Sequence, residues 1–198
     1  MVGEGVLHEC LQHDAIDEVL VVNKRPCGIT HSKLKELVHN DFYDLILIAD
    51  QLNVYDACLF CLGVSSIGMK ESEFYKPTYT LTMHFANTVS HQNSNITFCY
   101  ISGAGTDSIE KGKLMWARVK GKTENDLMKL PFKKVYNFRP GYMQATRGLK
   151  NTLSFYKYMS WLYPALRAVF PKNVSTLKES GLTMINALTK GYNNRSSK

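Results

Sequence analysis

Residues Ile96 to Leu127, ITFCYISGAGTDSIEKGKLMWARVKGKTENDL, decide how the rest of the chain is read. Ile96 to Ser102 is rich in β-branched and aromatic side chains and stops at Ser-Gly-Ala-Gly, the pattern of a buried strand ending in a loop. Ser102 then falls at the carboxyl end of that strand. In an open parallel α/β sheet this is the edge where ligands bind, because loops and the first turns of the following helices converge there. From Lys113 to Lys129 the spacing turns helical, so Trp116 and Lys120, four apart, share one helix face.

This arrangement resembles the short-chain dehydrogenase/reductase superfamily, in particular its atypical and extended, epimerase/dehydratase-like NAD(P)-binding members. There a strand-end Ser is followed by Tyr-x-x-x-Lys on a helix, the Tyr moving the proton and the Lys lowering its pKa and holding the nicotinamide ribose. Ser102 matches the Ser and Lys120 the Lys, while Trp116 stands where the Tyr should be. An indole N–H only donates and does not titrate near neutrality, so it cannot shuttle the proton of a carbonyl reduction.

A chain of 198 residues with 44% hydrophobic composition suffices for one domain with a full core. The five cysteines (Cys10, Cys27, Cys58, Cys61, Cys99) are odd in number, scattered and mostly in apolar runs, as expected of reduced thiols. Cys58 and Cys61 have redox or metal spacing, but side chains three apart on a strand point to opposite faces, so both read as buried strand residues. The six histidines show no metal-ligand spacing. With no signal peptide and no apolar run near the roughly 20 residues of a membrane span, a cytoplasmic protein is expected. Charge is uneven: residues 1–110 hold 6 Lys/Arg against 14 Asp/Glu, and residues 111–198 hold 18 against 3. The basic part suits an anionic cofactor or a solvated face. Without a spaced aromatic motif it does not indicate nucleic acid.

In chain order, Met1 to Leu11 reads as a helix without a strand to feed it. Gly3 resembles the third glycine of the family's Gly-x-x-Gly-x-x-Gly turn, where it lets helix and strand pack closely. That register puts the first strand and two glycines, about ten residues, outside this sequence. The expectation is therefore an N-terminally truncated Rossmann-like fold that binds a dinucleotide weakly or not at all. Glu18 to Asn23 is a nearly continuous apolar run, as a doubly covered strand requires. Arg25 follows it, placed to take the 2′-phosphate of NADP rather than NAD. Leu37 to Phe42 reads as the next strand, and the resemblance sets Asp41 and Phe42 beside the adenine. Asp44 is a candidate helix cap. Tyr55 to Gly63 is a further strand, with Leu62 and Gly63 lining the cofactor by resemblance.

Glu71 to His91 reads as one long helix whose stripe of Tyr75, Tyr79, Thr82, Phe85 and Ala86 suits a core or a dimer face. The superfamily commonly pairs through this helix and the one bearing Lys120, so the resemblance admits a homodimer. Lys133 to Gly141 reads as a strand running into Arg139-Pro140-Gly141, which resembles the family segment packing near the nicotinamide amide. The strand and helix alternation predicts a doubly wound parallel sheet. Residues 142–175 correspond to a small substrate-side helical cap, and their aromatic and basic residues also suit a membrane surface. Residues 176–190 form a closing helix and 191–198 a loose tail. Three functions remain open: an NADP-dependent oxidoreductase or epimerase-like enzyme, a non-catalytic cofactor-binding regulatory or scaffold protein, and a membrane-surface or partner-binding module.

Overall fold

A computed structural model describes residues 1–144, 163, 167 and 174–191. They divide into two compact units, Met1–His39 with Gly141–Lys198, and Asn40–Pro140. Every strand pair in both is parallel.

In the first unit, helix α1 (Val2–Gln12) precedes β1 (Val19–Asn23), which pairs with β2 (Leu34–Val38). The β2 strand ends before Asp41, whereas the sequence pattern carried it on to Phe42. The Asp41 carboxylate instead accepts from the Tyr43 N–H at 2.9 Å, so the chain turns where a strand was expected. Two short strands, β6 (Tyr142–Gln144) and β7 (Val174–Thr176), pair with each other. Apart from Tyr163 and Arg167, the aromatic stretch 149–170 lies outside the described residues, as does 192–198.

The closing helix, α5 (Leu177–Thr189), starts with a capping box: the Thr176 hydroxyl accepts from Glu179 N–H, and the Glu179 carboxylate accepts from Thr176 N–H. It packs on α1 through two glycines. A Cβ at Gly5 would meet Leu177 at 2.9 Å, and one at Gly181 would meet the Glu9 stem at 2.9 Å. Gly3, given the close-packing role by the family pattern, is exposed, and Gly5 is the buried glycine of this helix. Gly5 is the glycine that faces Leu177, where α1 meets α5.

The second unit is a three-stranded sheet in the order β3 (Ala57–Phe60), β4 (Thr97–Ile101), β5 (Lys134–Phe138). As the middle strand, β4 is buried from Thr97 through Tyr100, which explains its unbroken apolar and β-branched run. On one face the rings of Phe60 and Phe98 stack at 5.9 Å, and Phe85 meets Phe60 at 5.4 Å. The helical segment predicted over 71–91 forms but is not uniform. It runs as α2 (Glu71–Tyr75), a π-helical turn (Lys76–Thr80) and α3 (Leu81–Gln92). Pro77 supplies the cause, since its ring removes the N–H that an α-helical bond would use. Thr82, Phe85 and Ala86 are buried within the unit, and the Tyr79 hydroxyl donates to Asp126 at 2.7 Å. Burial and that carboxylate push the Tyr79 phenol up to about 12. Asp44 accepts from Ile46 N–H in a turn, and the next helical piece is the short 3-10 turn Ala49–Leu52.

All five cysteines are free thiols. Burial, with a smaller effect of Glu9, pushes Cys10 up to about 11, and burial also raises Cys58. Such thiols are poor nucleophiles near neutrality. Among the described residues no group of His, Cys, Asp and Glu could hold a metal ion, and no helix is long and apolar enough to cross a membrane.

Candidate functional site

The site lies in the second unit, where β4 ends at Ile101 and helix α4 (Met115–Leu127) returns toward it. The parallel ladder continues past the strands: Ser102 N–H donates to Phe138 O and Ala104 N–H to Pro140 O, both at 2.8 Å. The Ser102 loop and the Arg139-Pro140 segment are thus fastened side by side.

Lys120 reaches this edge from α4. Its ammonium donates to the backbone oxygens of Ser102 at 2.9 Å and Ile101 at 3.3 Å, and lies 5.7 Å from the centre of the Tyr100 ring. Burial pushes its pKa down to about 8, against a smaller upward pull from Glu124 one turn along the helix. Buried ammonium groups with pKa near working pH are a common property of functional lysines.

The Ser102 hydroxyl, 5% exposed at the level of the residue, does not meet Lys120. It is 2.8 Å from the Thr106 hydroxyl, which in turn donates to Gly103 O at 2.7 Å. Because the Thr106 proton is used on that carbonyl, Ser102 is the donor of the pair, and its free capacity is as an acceptor. Trp116 lies against the glycines: Cβ atoms at Gly103 and Gly105 would sit 3.6 and 3.5 Å from its six-membered ring, and Gly105 has φ +88°. A Cβ at either position would make only ordinary contact with the indole, so what calls for glycine at 105 is its positive φ.

The loop from Ala104 to Leu114 is bound to α4 along its length. Asp107 N–H donates to Ala117 O at 3.1 Å, and its carboxylate accepts from the N–H groups of Gly112 and Ile109. Those bonds hold the exposed Asp107 carboxyl below its ordinary range. Gly121 makes the approach of helix and loop feasible, since a Cβ there would fall 1.8 Å from Asp107 O. Nothing in the sequence pattern marks Gly121, because a helix-interior glycine reveals its purpose only when the partner backbone is known.

The side chain of Arg139 turns back into the unit. Its Nε and Nη2 grip the buried Glu124 carboxylate at 3.0 and 2.5 Å, and Nη2 also donates to Ser108 Oγ at 2.5 Å. Its guanidinium is therefore occupied within the protein. Of the other expected cofactor contacts in this unit, Phe42 is in the core, Asp41 caps its turn, and Leu62 is half-buried. Gly63 is exposed, with nothing within 4 Å of a Cβ built on it. In the first unit Arg25 is exposed just beyond β1 and has no partner among the described residues.

No family model matches the sequence, and no curated protein matches it. Solved structures do share its fold. The Bacillus cereus UDP-N-acetylglucosamine 4-epimerase structure aligns with a TM-score of 0.64 at 19% identity, covering 96% of this chain and 71% of that one. WbmF of Bordetella bronchiseptica, a structure in complex with NAD+, aligns at 0.69 and 14% identity over 96% and 67%. The Helicobacter pylori ADP-L-glycero-D-manno-heptose-6-epimerase aligns at 0.66 and 14% identity over 95% and 70%. The fold is therefore Rossmann-like α/β.

Proposed function

We propose that this chain binds a nicotinamide dinucleotide, in the manner of the NAD-dependent epimerase and dehydratase-like short-chain dehydrogenases, at a site whose proton-transfer machinery is incomplete. The observation that carries this reading is Lys120. A half-buried ammonium, fixed on two strand-end carbonyls at the carboxyl edge of a parallel sheet, suits the ribose hydroxyls of such a ligand.

The residues present fit the group in part. Open space at Gly63 lets a ligand approach the backbone after β3, and Lys120 offers a charged donor. Arg25, without a described partner, is the candidate for the 2′-phosphate that makes NADP preferred over NAD. A bound nicotinamide would supply hydride transfer. What this chain lacks is a titratable hydroxyl at position 116, and the Ser102 hydroxyl is already hydrogen-bonded to that of Thr106. The reading of a non-catalytic cofactor-binding protein gains support from those two facts. An oxidoreductase or epimerase-like activity would need its proton from another group.

Fluorescence titration with NADPH and NADH tests the proposal, because Trp116 lies on the Gly103–Gly105 loop beside the site. Quenching that saturates, is tighter for NADPH, and is lost in W116F supports it. No change up to millimolar dinucleotide would count against it. Loss of the NADPH preference in R25A would assign the 2′-phosphate contact.

A further inference from the structure

We infer that Glu124 and Arg139 form a pair that sets the charge felt by Lys120 and ties its helix to the Ser108 loop, Arg139 being a positioning residue that acts through Glu124 and not a ligand contact. This deepens the proposed function and rests on it for the pair's significance.

The geometry has three parts. Glu124 lies one helical turn from Lys120 on α4, a spacing that puts the two on one face, and its side chain is only 5% exposed. A lone carboxylate at that depth is costly, and Arg139 answers it from the end of β5 with a two-pronged grip. The same guanidinium donates to Ser108 Oγ, while Asn125, next to Glu124 on the helix, donates to Ser108 O at 2.9 Å and to the Glu110 carboxylate at 2.7 Å. Arg139 thus ties together three pieces of chain: β5, α4 and the loop that follows Ser102.

The electrostatic consequence follows from shared charge. The titratable and charged groups recorded around Lys120 are Tyr100 from β4, Glu124 on its own helix and, through Glu124, Arg139. Burial raises the Tyr100 phenol above its usual range, so it stays neutral. Besides the two carbonyls that hold it, Glu124 is thus the charged group that favours the ammonium, and Arg139 draws off part of that support. A lysine kept near neutrality in this way can change protonation when a ligand arrives.

The test is NMR titration of Lys120 Nζ in the full chain without cofactor, assigned by difference with K120M, in parallel with NADPH binding. E124Q removes the attraction and leaves Arg139 nearby, so the Lys120 midpoint should fall by about one pH unit. R139M frees the Glu124 charge and should raise the midpoint by a similar amount, and R139K should bring it back toward the parent. E124Q/R139M leaves no unpaired charge and serves if a single variant does not fold; its midpoint should lie below the parent's. A merely structural role predicts that all variants drift upward as water enters. That outcome, or no shift at all, overturns the inference. Failure of the parent to bind NADPH would instead remove the proposed function while the titration still decides the coupling.

Discussion

The Lys120 ammonium is bound to the main-chain oxygen of Ser102 at 2.9 Å, while the hydroxyl of the same serine is held by Thr106. One strand-end residue therefore presents two oxygens to two different partners. The lysine is anchored by backbone geometry, which side-chain substitution at position 102 leaves in place.

That separation predicts a mild S102A variant. The Thr106 hydroxyl keeps its bond to Gly103 O, so the loss is one neutral hydrogen bond, about 1 kcal/mol. T106V removes both hydroxyl bonds and should cost more. Urea denaturation of the two variants checks the order.

Burial of Lys120 makes stability depend on pH in a defined window. The folded pKa of about 8 lies below the ordinary lysine value of 10.5, so between those limits the unfolded chain binds more protons and stability rises with pH. Below pH 8 the full cost of the buried charge is present. Across this window the parent should gain on K120M by about 3 kcal/mol at most, the difference being what counts because the raised Cys10 and Cys58 thiols act in the opposite sense. Stability curves from pH 7 to 10.5 for parent and variant provide the measurement.

Gly121 and Gly63 should respond oppositely to alanine. A Cβ at Gly121 would lie 1.8 Å from the Asp107 carbonyl oxygen, which no side-chain adjustment can relieve, whereas Gly63 has open space. G121A is expected to destabilise by about 3 kcal/mol or more by forcing helix and loop apart. G63A should leave stability nearly unchanged and weaken dinucleotide binding. Thermal melts together with NADPH titration separate the two effects.

W116Y tests whether chemistry is missing for want of one group. The phenol would replace an indole that lies against Gly103 and Gly105, on the helix face that also carries Lys120. NADPH-dependent reduction of a panel of carbonyl compounds should appear in W116Y and be absent in the parent. Turnover by the parent itself would show that another group delivers the proton.

Ser102 at a strand end, Lys120 on the following helix and the succession of parallel strands were legible from residue order. Period-two and period-3.6 patterns, with Gly and Pro at the breaks, are local properties that a chain cannot hide. The pattern was less reliable at boundaries. The strand expected through Phe42 stops at Val38, because the Asp41 side chain offers the backbone a turn instead. Pro77 was visible too, yet its π-helical turn depends on how α2 and α3 stay packed on their neighbours.

By itself, then, the sequence determined which segments become strand, loop or helix, and hence which end of the sheet carries Ser102 and Lys120. Only tertiary structure decided the partners. Arg139 holds Glu124, Gly5 gives way to Leu177, and Gly121 gives way to the Asp107 carbonyl. Those outcomes turn on shifts of an ångström or two between segments distant in the chain. Hydrogen bonds and van der Waals contacts distinguish such shifts, and one-dimensional spacing does not.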